Sequence, residues 1–146
     1  MPIRGVLLDV GGVFLIPDGA VVGSWLATAG FEFKPAFGEA HFAGVAAVDK
    51  IRGGGEDKAR YLRGYVRRLG IRENDRAVDV LLPLWEGRSV ELWRSVLPES
   101  VDGLRLLADH GFRLGIVSNS DGTVAEQLLA HGIAPSWATE PAWTFW

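Results

Sequence analysis

Two short polar clusters in the chain carry side chains able to do covalent chemistry. The first, Asp9-Val10-Gly11-Gly12, closes the apolar run from Ile3 to Leu8 and sets a carboxylate beside a glycine pair. A carboxylate displayed at the end of a strand is able to act as a nucleophile, and an acid followed by two glycines is also the composition of an ordinary turn. The second cluster, Ser118-Asn119-Ser120-Asp121, closes the apolar run from Phe112 to Val117. It offers hydroxyls, an amide and a further acid, of which Ser120 and Asp121 read as the N-cap region of the next helix.

These clusters need elements to position them. Both apolar runs are rich in Val, Ile and Leu and lack alternation, which predicts strands buried on both faces, as in a parallel sheet. Asp9 and Ser118 then fall at strand carboxyl ends, where α/β sheets place their ligands. The intervening chain reads as helical. Val22, Trp25, Leu26 and Ala29 keep helical spacing, as do Phe37, Ala40, Phe42, Val45 and Val48. From Asp57 an amphipathic helix gathers Tyr61, Leu62, Tyr65, Val66 and Leu69 on one face, and its Arg-rich remainder from Arg60 to Arg68 reads as a solvated surface. Two further helical pieces are expected over 74–85, interrupted near Pro83, and over 86–97. A helix from Pro98 ends at Gly111, and a last one carries Val124, Leu128 and Leu129. Gly53-Gly54-Gly55 lacks the Lys-Ser/Thr that would make it a phosphate-binding loop and reads as a hinge between helices. The stretch 134–146, with Trp137, Trp143 and Trp146, has no periodicity and is assigned no element.

Composition narrows the function classes. The chain has 146 residues, 48% hydrophobic and 23% charged, which suits one globular domain and excludes disorder as the main reading. With 15 Lys and Arg against 18 Asp and Glu the formal charge is -3, so no nucleic-acid partner is expected. There is no Cys, hence no disulfide, no thiolate zinc site and no Cys nucleophile. Asp9 interrupts the N-terminal apolar stretch, which argues against a secretory signal, and no other apolar run reaches transmembrane length. The expected location is cytoplasmic, without a membrane partner.

The motif V-L-L-D-V-G-G-V-F around Asp9 resembles the first motif of the haloacid dehalogenase (HAD) superfamily. The segment P-E-S-V-D-G-L-R-L-L-A-D-H-G-F-R-L-G-I-V-S-N-S, ending at Ser120, resembles the helix and strand that lead into that family's second motif. The order of the two, and the gap between them, match a family core with a helical cap inserted after the first strand. The resemblance implies a Rossmannoid α/β core formed by 1–17 and 96–133, a helical cap over 18–95, and an irregular tail over 134–146. It further implies a hydrolase of the phosphatase type acting on a small phosphorylated metabolite. Asp9 would be the catalytic nucleophile, and Mg²⁺ would sit against Asp9 and the carbonyl of Gly11. Ser118 and Gly12 would bind phosphate, and Asn119 would orient the nucleophile or its loop.

The departures from the family pattern are equally specific. The position two after the nucleophile, where phosphatase members carry a general acid, is Gly11, and Asp18 lies beyond Pro17. No Lys follows Lys58, and after Asp121 the acids are Glu126 and Glu140, so the family's phosphate-pairing Lys and late metal-binding acids have no counterpart. The resemblance thus covers 1–133 and implies a truncated core. An unpaired strand edge is then expected to make the product self-associate. The alternatives are a non-catalytic remnant or protein-interaction module and, by the same resemblance, a 2-haloacid dehalogenase-type hydrolase.

Overall fold

In a computed structural model, residues 3–49, 57–87, 89–118 and 124–133 are described. The fold is mixed α/β, with a small parallel sheet and several helices. The chain divides into two compact units. One is drawn from Met1–Ile16 and Val96–Trp146, the other from Pro17–Ser95. Each has its own apolar core.

In the first unit, strand β1 (Gly5–Leu8) pairs in parallel with strand β4 (Arg113–Ile116), in a register running from Gly5↔Arg113 to Leu8↔Ile116. Helix α6 (Pro98–Asp109) leads into β4. Pro98 suits its first turn because the missing N–H would have no partner there. Gly111, at φ 77°, lets the chain reverse out of it as the Phe112 N–H returns to the Leu107 carbonyl. Helix α7 (Val124–Ala130) follows β4. Side chains from both helices, including Val101, Leu104 and Leu128, join Leu114, Ile116, Val10 and Phe14 in one buried cluster, against which Val6 and Leu8 pack.

Burial of β1 on both faces, expected from its unbroken apolar run, is overturned. Leu7 is 71% exposed and Ile3, just before the strand, 76%. The register explains this, because Val6 and Leu8 share a face with Leu114 and Ile116, where the helices pack, whereas Leu7 lies on the opposite face across from Gly115. Among the described residues nothing buries that face.

The chain passes between the units through strands β2 (Leu15–Pro17) and β3 (Trp93–Val96), which form a second two-stranded sheet. This corrects the expected helix over 86–97. Only a short helix α5 (Ser89–Leu92) forms there, after which the aromatic and β-branched residues of Trp93-Arg94-Ser95-Val96 pair as a strand. The Leu97 N–H donates to the Phe14 carbonyl and the Asp18 N–H to the Leu92 carbonyl. A three-residue strand such as β2 is too short for periodicity to reveal.

The second unit is helical, built from α1 (Gly19–Thr28), α2 (Phe37–Asp49), α3 (Asp57–Arg68), α4 (Asn74–Gly87) and α5. Asp18 caps α1: its Oδ1 accepts the N–H groups of Ala20 at 2.9 Å and Val21 at 3.0 Å. Helix α4 runs through Pro83 rather than breaking there, since Pro83 sits on an exposed side of a helix whose opposite face buries Ala77, Val78, Leu81 and Leu84. Helices α2 and α3 approach closely at Gly64, where a Cβ would lie 2.7 Å from the Ala43 carbonyl oxygen and 2.9 Å from the Ala47 methyl.

Near that crossing, His41 is 2% exposed, with its ring edge-on to Trp93 at 5.6 Å and its Nδ1 hydrogen-bonded with the Tyr61 hydroxyl at 2.8 Å. Burial pushes the imidazole down to about 4 and raises the Tyr61 and Tyr65 phenols, so all three groups are neutral at pH 7. The unfolded chain, with an ordinary His value near 6.5, binds this proton more tightly than the folded one. The His41 contribution to stability is therefore complete above about pH 6.5 and lost as pH falls toward 4, by an amount on the order of 3 kcal/mol. Urea unfolding followed from about pH 7 to about pH 4.5 should show this decline, and His41→Gln should flatten it. Parallel pH profiles for the two proteins would contradict it.

Candidate functional site

The loop after β1 is a tight, internally bonded turn. The Val10 carbonyl accepts the N–H groups of Val13, Phe14 and Leu15, at 3.1, 2.9 and 3.1 Å. Gly12, at φ 77°, takes a left-handed conformation that a Cβ disfavours, and its N–H donates to the Leu15 carbonyl at 2.8 Å. Val10, Phe14 and Leu15 are almost fully buried and anchor the turn in the core. Asp9 itself is exposed, and its Oδ1 accepts the Val10 N–H at 2.7 Å, which fixes the carboxylate against its own backbone.

Parallel pairing brings Asp9 and Ser118 to one edge of the sheet. Leu8 lies opposite Ile116, and the ladder continues as the Val117 N–H donates to the Leu8 carbonyl at 2.9 Å. Asp9 therefore stands one residue beyond β1 and half-buried Ser118 two residues beyond β4, both at the carboxyl end. Asn119, Ser120 and Asp121 lie outside the described residues, as do Gly53-Gly54-Gly55 and the stretch 134–146.

The turn alters which backbone groups are open to an anion. The Gly12 N–H, expected to help bind phosphate, is already committed to Leu15. Of the N–H groups from Val10 to Leu15, that of Gly11 alone donates to no acceptor among the described residues. The Gly11 carbonyl likewise accepts no backbone N–H there. The Asp9 carboxylate and this carbonyl are hard oxygen donors, the type Mg²⁺ takes while keeping several waters or phosphate oxygens. They fit the ion in kind. The described residues contain no group of three or more His, Cys, Asp or Glu placed to hold a metal.

Asp18 is held as an anion. Burial favours its neutral form, but the Val21 N–H, the Arg94 guanidinium 2.9 Å from its Oδ2 and the Ala20 N–H together outweigh that and keep its carboxyl below the ordinary range. Both Asp18 carboxylate oxygens are thus engaged, Oδ1 by the start of α1 and Oδ2 by Arg94. Of the Arg-rich face of α3, Arg63, Arg67 and Arg68 are exposed, with Arg63 paired to Asp75 at 3.2 Å and Arg68 paired to Glu39, whereas Arg60 is half-buried.

Two features of the helical unit went unseen in the sequence. One is the buried cluster of His41 with Tyr61, Tyr65, Trp85 and Trp93. Tyr61 and Tyr65, one turn apart, were its single sequence signal, and His41 by itself gave none. The other is a groove between α1 and α4 around Trp25 and Asp79. No described helix is long and apolar enough to cross a membrane. Neither a family model nor a curated protein sequence matches this chain.

Proposed function

We propose that the chain is a HAD-like hydrolase of the phosphatase type, in which Asp9 takes the phosphoryl group and the helical unit between β2 and β3 serves as cap. The observation that supports this reading most is the meeting of Asp9 and Ser118 at the carboxyl edge of adjacent parallel strands. An Asp9 carboxylate oxygen attacks phosphorus, the bond to the leaving oxygen breaks, and an aspartyl-phosphate forms. Water then attacks the same phosphorus and returns inorganic phosphate and the free carboxylate. Ser118 donates its hydroxyl to a phosphate oxygen, and the uncommitted Gly11 N–H is placed in the turn to assist. Mg²⁺, when bound by Asp9 and the Gly11 carbonyl, supplies positive charge that offsets the phosphate oxygens.

Gly11 has no proton to give the leaving group, and Asp18 is committed elsewhere. Substrates whose leaving group departs as a stable anion should therefore react far faster than alkyl phosphates. With Mg²⁺ present, p-nitrophenyl phosphate should be hydrolysed and glycerol phosphate much more slowly. Asp9→Asn should lower kcat by more than about a hundredfold with little change in stability, because the side chain is exposed. Equal hydrolysis by the wild type and Asp9→Asn would sink the assignment.

A second reading, self-association through the sheet, draws on a separate observation. Leu7 and Ile3 are largely exposed on one face of the β1–β4 ladder, and each of these strands has one partner among the described residues. Analytical ultracentrifugation should then show mass rising with concentration, and Leu7→Lys should suppress the rise. A wild-type chain monomeric across the whole range would remove this reading.

A further inference from the structure

The helical unit carries a groove that the proposed phosphoryl chemistry does not use. It is an open groove of about 550 Å³ between α1 and α4, lined by Ser24, Trp25, Thr28 and Ala29 on one side and Asp79, Val80 and Pro83 on the other. Its size falls within the range of small-molecule sites, about 300 to 1,000 Å³, and most of its wall is apolar.

Three features give this groove a negative character. The Asp79 carboxylate is exposed and makes no ion pair among the described residues. The Asp79 carbonyl is the one that Pro83, lacking an N–H, cannot satisfy in the helical i to i+4 pattern. The carboxyl end of α1, where the helix dipole is negative, has no basic residue in its last turn. A cation already sits at this end from elsewhere in the unit. The Arg76 guanidinium donates to the Ala29 carbonyl at 2.8 Å, pairs with Glu73 at 3.2 Å and lies 4.6 Å from the Phe31 ring centre. Arg76 is paired with Glu73, whereas Asp79, in the groove wall, has no ion pair among the described residues.

We propose that this groove binds a small organic ammonium ion, its charged head against Asp79 and its apolar body against Trp25, Val80 and Pro83. A carboxylate and an aromatic residue lining one groove suit such a cation, through ion pairing and attraction to the ring quadrupole. A neutral molecule of equal shape gains only the apolar contact. An anion meets the Asp79 carboxylate.

The test is titration of the full 146-residue chain with phenethylammonium chloride and, separately, with the neutral 2-phenylethanol, read by amide chemical shifts. The expected result is saturable shifts confined to 24–29 and 79–83, with the ammonium binding about fivefold or more tightly than the alcohol. Asp79→Asn should bring the ammonium down to the affinity of the alcohol without moving the unfolding midpoint. Equal binding of the two probes to the wild type, an unaltered affinity in Asp79→Asn, or shifts that map elsewhere would each overturn the proposal. The comparison of probes on the unmodified chain stands even should the variant fold poorly, and neither arm depends on phosphatase activity.

Discussion

Four register pairs, from Gly5↔Arg113 to Leu8↔Ile116, hold two segments from opposite ends of the described chain side by side in parallel. Everything argued for Asp9 and Ser118 depends on that ladder. An antiparallel pairing would put the residues after the two strands at opposite edges, and a one-residue slip would exchange the faces of Val6 and Leu7. What fixes the register is apolar burial on a single face. Val6, Leu8, Leu114 and Ile116 can all meet the cluster formed with α6 and α7 only in this alignment. The cost is a second face on which Leu7 stays in water, so the constraint that assembles the site also leaves an apolar surface.

The turn after β1 carries that order one step further. Three N–H groups converge on the Val10 carbonyl while Val10, Phe14 and Leu15 sink into the core, so Asp9 projects from a backbone with little freedom. A nucleophile gains from such a mounting, because orientation is established before substrate arrives. The same bonding consumes the Gly12 N–H and concentrates the loop's open donor and acceptor capacity at Gly11. In the proposed reaction, glycine at that position would have opposite effects: it would leave a carbonyl open to a cation and would offer no proton to the leaving group. The helical unit is organised on other grounds, through a core that encloses His41 and through Asp18, which ties the start of α1 to Arg94 in β3.

How much of this was legible in the sequence varied with the length scale of the signal. The apolar runs before Asp9 and Ser118 marked two strands and their ends, because short runs rich in Val, Ile and Leu bounded by polar turns leave few alternatives. Apolar residues at helical spacing marked α1, α2, α3 and α6. The pairing of β2 with β3 was not legible, since three residues carry no period and Trp93 to Val96 fits a helix equally well until Leu15 to Pro17 is placed beside it. The exposure of Leu7 was hidden for a related reason: an apolar run shows that burial is available and says nothing about how many layers cover it. Pro83 misled in the other direction, as a helix with enough burial on one face tolerates a proline on the other. At the site, the residue types of Asp9, Gly11 and Gly12 were plain, but the engagement of the Gly12 N–H is a property of the folded turn alone.

The central claim is that Asp9 accepts a phosphoryl group. With Gly11 offering no general base for the hydrolytic step, the aspartyl-phosphate should persist long enough to be trapped. The most direct measurement is to incubate the chain with Mg²⁺ and acetyl phosphate, quench in acid and map any added phosphoryl group by peptide mass spectrometry. The account predicts an acid-stable, hydroxylamine-labile phosphoryl group on the peptide containing Asp9, absent from Asp9→Asn. An unmodified Asp9 peptide, or equal labelling of Asp9→Asn, would contradict it.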